Sequence, residues 1–254
     1  MTSPNKKLAN ISEDEDDIID LPHVDNSHLI ARFSRSLVGR MFNQDIRSTE
    51  ALIAFMPRSN IWDVEGRVHG IDLGNSRFQF DFDFEADLQR VLSKRPCHFN
   101  KWSFSLERWT PHVGDSFPNN MVFWVRISGI PTHFWVEENF RAVGNRLGEV
   151  TAVDARAASV QVSLNADNPL RFSARTRLES GEVVRVTLKY EKLERWCLTC
   201  RHLSHDERTC PLLSEEERIA KMLEREAERN LAQLARDDLI RERDRDILYA
   251  RRQA

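Results

Sequence analysis

Arg77-Phe78-Gln79-Phe80-Asp81-Phe82-Asp83 alternates without a break, three phenylalanines on one side and four polar residues on the other, the two-residue period of a strand with one buried face. Three aromatics at strand spacing are what a sheet needs to pack its helices, so Phe78, Phe80 and Phe82 are read as core. The opposite face then carries Asp81 and Asp83, which repel phosphate. Upstream, Gly74-Asn75 makes a turn from a strand over 63–73. Before that, Leu37-Val38-Gly39-Arg40-Met41-Phe42 reads as a strand, and Ser48 or Thr49 caps a helix through Ala51-Leu52-Ile53-Ala54-Phe55-Met56 that Pro57 stops. Downstream, Leu88, Val91 and Leu92 give a helix over 85–95, and Trp102-Ser103-Phe104-Ser105-Leu106-Glu107 alternates again. The order βαββαβ over residues 31–110 is the ferredoxin-like arrangement of an α+β protein, a fold that hosts many functions.

A polar loop over 110–120 separates this unit from a second. Met121-Val122-Phe123-Trp124-Val125-Arg126-Ile127 resumes as a strand turned by Gly129 and Pro131; a helix over 137–147 takes Gly148 as its C-terminal cap; strands follow at 149–154, 159–164 and 182–190. Residues 120–192 therefore form a second small α/β unit, 193–212 a cysteine–histidine segment, and 213–254 a long charged helix opened by the capping box Ser214-Glu215-Glu216-Glu217. The tail holds eleven acids and ten bases. Its apolar positions, among them Ile219, Met222, Leu223, Leu231, Leu234, Leu239, Ile240, Ile247 and Leu248, are too irregular for heptads and predict a solvated single helix.

Residues 1–30 carry seven acids against Lys6 and Lys7 and few large apolar side chains, which predicts a disordered acidic segment. Its net charge of -5, set against -3 for the whole chain, leaves the other 224 residues at +2. That mildly basic body permits nucleic-acid binding without arguing for it. The polar, acidic beginning and the short apolar runs predict neither a signal peptide nor a membrane span, so the expected location is the nucleus or cytoplasm.

In such a reducing compartment the cysteines point to metal. Cys197-x2-Cys200-x4-His205-x4-Cys210 places three thiolates and one imidazole within fourteen residues, a complete tetrahedral set for one structural Zn²⁺ with no open position for hydrolysis. So short a loop has almost no core, and metal binding must supply most of its folding free energy. His202 competes with His205 as a ligand, but two residues beyond Cys200 it makes a tight chelate loop and is expected to be exposed. Trp196 is placed either to stack on an unpaired base or to pack the segment onto the preceding strand. The cations within reach of a bound strand are Lys189, Lys192, Arg195, Arg201 and Arg208, with Arg185 nearby; Glu191, Glu194, Asp206 and Glu207 dilute them, which predicts modest, salt-sensitive affinity.

The ligand spacing resembles the retroviral-type zinc knuckle, CX2CX4HX4C. That family has glycine after the second cysteine and before the histidine, where this chain has Arg201 and Ser204, and an aromatic after the first cysteine, where it has Leu198. Together with the strands quoted above, Trp124-Val125-Arg126-Ile127-Ser128-Gly129-Ile130-Pro131, and Tyr190-Glu191 leading into the knuckle, residues 30–212 resemble the plant DUF4283-type proteins with a C-terminal CCHC knuckle. Those are similar to the Gag-like first-open-reading-frame proteins of plant non-LTR retrotransposons. The resemblance implies zinc binding, nucleic-acid binding and, by descent, packaging of element RNA.

No Gly-x-Ser-x-Gly elbow, Walker-type loop or His-Glu-x-x-His helix is present, so no enzyme and no small-molecule substrate is expected. Asp237-Asp238 lies in a charged helical run and Asp81 with Asp83 lacks a third acidic ligand, which makes both pairs solvated surface. Two functions remain. In one, the zinc-shaped knuckle binds single-stranded RNA or DNA. In the other, zinc staples a protein-interaction module whose partner, or second copy, binds the long helix.

Overall fold

The computed structural model describes residues 22–253 apart from 44–47, 112–113 and 115–116. The acidic run Glu13 to Asp20 lies outside the described residues, as do the side chains of Ile247 and Leu248. Within the segment expected to be disordered, Ser27–Arg32 form one short helix, α1, that buries no residue.

The first sheet is built around β1 (Ser36–Met41). α2 (Thr49–Phe55) starts where the Ser48 side chain accepts the Ala51 N–H at 3.0 Å, one of the two caps open in the sequence. β2 (Val68–Gly74) turns into β3 (Arg77–Phe82) through Asn75 and Ser76, both at positive φ (50° and 60°), the two-residue turn whose twist suits a hairpin. α3 (Glu85–Ser93), β4 (Cys97–Phe99) and β5 (Trp102–Arg108) complete the unit. The sheet order is β2-β3-β1-β5-β4 with every neighbour antiparallel, which is the ferredoxin-like order with β4 added at one edge. Phe78, Phe80 and Phe82 are buried, as their alternation requires, with Leu52 of α2, Leu88 and Val91 of α3, and Trp62, whose ring meets Phe80 edge-on at 5.0 Å.

Two differences from the expected elements have local causes. The strand expected over 63–73 begins only at Val68, because Asp63 turns at φ 59° and the Val64 N–H bonds the Pro57 carbonyl at 3.0 Å. That loop drops Trp62 and Val64 into the core. β4 follows Pro96 and is three residues long, too short for a periodic signal, and is held by a second turn with Asn100 and Lys101 at positive φ.

The second sheet repeats the plan with one omission. β6 (Asn120–Ser128), α4 (Glu137–Gly144), β7 (Glu149–Asp154), β8 (Ser159–Asn165), β9 (Ser173–Arg177) and β10 (Val183–Tyr190) give the order β7-β8-β6-β10-β9. Position for position this matches the first sheet, but no helix lies between β8 and β9. Leu170 of that connection and Leu203 from beyond β10 are instead buried in the core with Phe123, Val160, Val162, Val186 and Leu188. β9, with Ala174 its single apolar residue and alternate positions exposed, carries no hydrophobic run that the sequence could reveal. Gly148 is not a left-handed cap: α4 already ends at Gly144, and a Cβ on Gly148 would stand 2.1 Å from the Ser163 carbonyl oxygen. Its lack of a side chain lets β7 approach β8.

The units touch through Phe42, which is buried in the second core, the Arg40–Asp167 ion pair, the Ser105 hydroxyl donating to the Pro118 carbonyl at 2.8 Å, and the Arg195 guanidinium 5.4 Å above the Trp102 ring. α5 (Glu215–Gln253) opens with the expected capping box: the Ser214 N–H donates to Glu217 Oε2 at 2.8 Å and the Glu217 N–H to Ser214 Oγ at 3.2 Å. Leu231, Leu234, Leu239 and Ile240 are exposed along it. Among the described residues no helix is long and apolar enough to cross a membrane.

Gly39 at the centre of β1 leaves no room for a side chain, since an added Cβ would lie 2.2 Å from Phe78 Cζ and 2.7 Å from the Ser105 carbonyl oxygen. Gly39→Ala should therefore destabilise the chain by about 1–3 kcal/mol, read as a lowered urea midpoint with an unchanged slope.

Candidate metal centre and nucleic-acid interface

From Tyr190 the chain leaves the sheet, reverses at Lys192 (φ 56°) and lays Trp196 on Phe172, ring centroids 5.4 Å apart, at the margin of the second core. Cys197 follows at once, so the first ligand is anchored by that packing. The Arg201 N–H bonds the Cys197 carbonyl at 2.7 Å, the Cys197 N–H bonds the His202 carbonyl at 2.8 Å, and the Cys200 N–H points at Cys197 Sγ from 3.4 Å. These bonds wind the first two cysteines onto one side of a tight loop. Leu203, wholly buried, pins the middle of the loop to the second sheet, and the Leu170 N–H bonds the Arg201 carbonyl at 2.9 Å.

The second half is fixed by polar side chains. Asp206 accepts the Arg208 N–H at 2.9 Å and starts the 3₁₀ turn Glu207–Thr209 that delivers Cys210. Glu207 accepts from the Thr199 hydroxyl at 2.8 Å and from Arg225 Nε of α5 at 3.3 Å, while Arg218 Nε donates to the Cys210 carbonyl at 3.0 Å. The knuckle is thus tied to the long helix as well as to the sheet.

Ligand atoms of Cys197, Cys200, His205 and Cys210 all lie within 4.8 Å of one another. His205 turns Nε2 toward Cys200 Sγ at 3.1 Å, and its Nδ1 lies 3.0 Å from the Ser204 hydroxyl, the outer hydrogen bond that orients a metal-binding imidazole. Three sulfurs and one imidazole nitrogen, enclosed and oriented, fit one Zn²⁺ held with all four positions taken by protein. Such an ion shapes the loop and leaves no place for a reacting water. Cys97, the fourth cysteine, is buried in the first core, where burial pushes its thiol up to about 12.

The structure corrects one site residue. His202, expected to be exposed, is half-buried; it stacks 6.2 Å from the His205 ring, and its Nδ1 is buried with no hydrogen-bond partner. The cause is Leu203: burying that side chain draws its neighbour in, which spacing alone could not reveal. Arg201 adopts φ 66°, the left-handed conformation that explains why knuckles place glycine there.

Of the cations and aromatic singled out by sequence, Trp196, Arg195 and Arg208 line one cleft of about 640 Å³ between the knuckle and α5. Leu198, Met222, Arg218, Arg225 and Arg229 line it too, the last four from a helix whose packing no local pattern announced. Arg208 is paired with Asp206 at 2.9 Å, and Arg225 is shared between Glu207 and Glu228. Arg201 and Lys192 are exposed outside that cleft, and Lys189 points from the free face of the second sheet.

Fold and site together define a mixed α+β protein with a Cys₃His zinc knuckle. Residues 29–115 match the domain of unknown function DUF4283, and residues 164–212 match the zinc knuckle family, a span that takes in β9 and β10 as well as the metal ligands. The chain carries a DUF4283 domain followed by a CCHC zinc knuckle. It is 26% identical over 127 residues to an uncharacterized protein of Arabidopsis thaliana, a stretch that covers 47% of this chain and 40% of that relative.

Two outcomes follow from the geometry. Burial raises the metal-free Cys197 thiol above the ordinary cysteine range, so at neutral pH zinc must displace its proton. Protons therefore compete with the ion, and zinc affinity measured against a chromophoric chelator should fall at least about tenfold for each unit the pH is lowered. Arg201→Gly removes a left-handed side chain that costs about 1 kcal/mol, and should raise the melting temperature of the zinc-loaded protein.

Proposed function

We propose that this protein binds single-stranded nucleic acid, RNA or DNA, through a knuckle whose shape depends on one zinc ion. The observation that carries the reading is the cleft beside the metal, where Trp196, Leu198 and Met222 offer apolar surface for a base and Arg195, Arg208 and Arg218 surround it with positive charge. Trp196 lies against Phe172 and still lines the cleft, so packing and stacking are compatible uses of one ring. Asp206, Glu207, Glu226 and Glu228 on the same walls cancel part of the charge, in keeping with modest, salt-sensitive affinity. The reading is of a binding protein, not an enzyme, acting in the nucleus or cytoplasm. Its likeness to Gag-like plant proteins supports a retrotransposon-derived role in holding element RNA.

A second reading has its own observation: the exposed Leu231, Leu234, Leu239 and Ile240 of α5 offer a helical partner, or a second copy, an apolar surface.

Fluorescence anisotropy of labelled single-stranded RNA and DNA against the zinc-loaded chain, with a salt series and a Cys200→Ser variant, separates the two. Micromolar or tighter binding that weakens with salt and is lost in the variant is expected. Absence of binding by protein shown to carry one zinc would overturn the nucleic-acid reading in favour of the protein-interaction module.

A further inference from the structure

β10 alternates buried Val186, Leu188 and Tyr190 with exposed Arg185, Thr187 and Lys189. The strand register sets Arg185 directly opposite Arg175 of β9 and Lys189 directly opposite Arg126 of β6. Between these two pairs runs a row of hydroxyls, Thr187 facing Ser173 on one side and Ser128 on the other. Like charges directly opposed across a sheet are destabilising, and here two such pairs share one exposed face. Among the described residues Arg175, Arg185 and Lys189 have no ion-pair partner, and Arg126 has only Glu191 at 4.0 Å. Trp124, half-exposed on β6 opposite Gln161, presents a ring on the same face.

We propose that this face of the second sheet grips the phosphate backbone of the strand whose bases the knuckle takes. The inference rests on the nucleic-acid reading and adds a second surface to it. Repulsion retained on an exposed face is relieved by an anion, and alternating cations and hydroxyls along β10, about 6.6 Å apart, suit a regularly repeating anion with hydrogen-bond-accepting oxygens. An acidic peptide would satisfy the cations and leave Trp124 without a use, whereas a single strand brings a base to it. The first sheet also opposes two arginines, Arg40 and Arg77, but there Arg40 is paired with Asp167, and Ser36 and Gln79 of the same face are buried and hydrogen-bonded to Asp81.

The test uses the full zinc-loaded chain, labelled oligouridine, and polyglutamate as an acidic control. Arg175→Gln/Arg185→Gln should weaken oligouridine binding about tenfold at about 0.1 M salt and lower the salt slope by about 1.4, the value for two lost single-strand phosphate contacts. Arg236→Gln/Arg243→Gln, which removes the same charge from α5, should leave both unchanged. The sheet variant should melt at the same or a higher temperature, since it relieves repulsion, which separates lost contact from lost fold. Unchanged affinity and slope in the sheet variant, with Cys200→Ser still impaired, overturns the sheet proposal alone. Loss in the sheet variant while Cys200→Ser binds normally supports the sheet and overturns the knuckle reading. Polyglutamate binding that matches oligouridine and is abolished by the same two substitutions assigns the face to an acidic protein and overturns the proposal.

Discussion

The burial of Leu203 in the core of the second sheet is the contact on which the functional half of the molecule depends. A zinc loop of fourteen residues has no core of its own, and metal coordination alone would leave it a bead on a string. Leu203 sits between two ligands, Cys200 and His205, so the same few residues that enclose the ion also plug the sheet. Trp196 before the first ligand and Arg218 after the last extend that anchorage to Phe172 and to α5. The metal, the sheet and the start of the long helix therefore behave as one body.

The place for that plug is made by an omission. The two sheets share one strand order, yet only the first has a helix between its third strand and its edge strand. In the first unit Leu88 and Val91 of α3 cover the sheet; in the second, Leu170, Leu203 and the ring of Trp196 supply apolar cover. The zinc knuckle match that begins at residue 164, inside β8, spans both sides of that contact.

Charge is divided as unevenly as cover. A net charge of -3 hides the acidic beginning, and the +2 on the remainder hides two sheets whose polar faces differ in kind. On the first, Ser36, Gln79 and Ser105 are buried beside the opposed Arg40 and Arg77; on the second, Arg126, Arg175, Arg185 and Lys189 stand exposed. Averages over a chain cannot report this, because the grouping exists only once strands are paired.

What the sequence determined by itself is whatever a few neighbouring residues decide: the alternation that buries Phe78, Phe80 and Phe82, the Ser214 capping box, and the spacing that makes Cys197, Cys200, His205 and Cys210 one ligand set. Strand period, capping and chelation act over a handful of bonds, so they are legible in one dimension. What only the tertiary structure decided acts at long range. β4 and β9 are strands because a neighbour's unpaired edge holds them and not because of any period of their own. Gly148 is required by the approach of Ser163, not by a helix end, and His202 is drawn inward by Leu203. Arg185 and Arg175, ten positions apart in sequence, become opposed charges through register alone, since backbone hydrogen bonds between strands fix which side chains share a face.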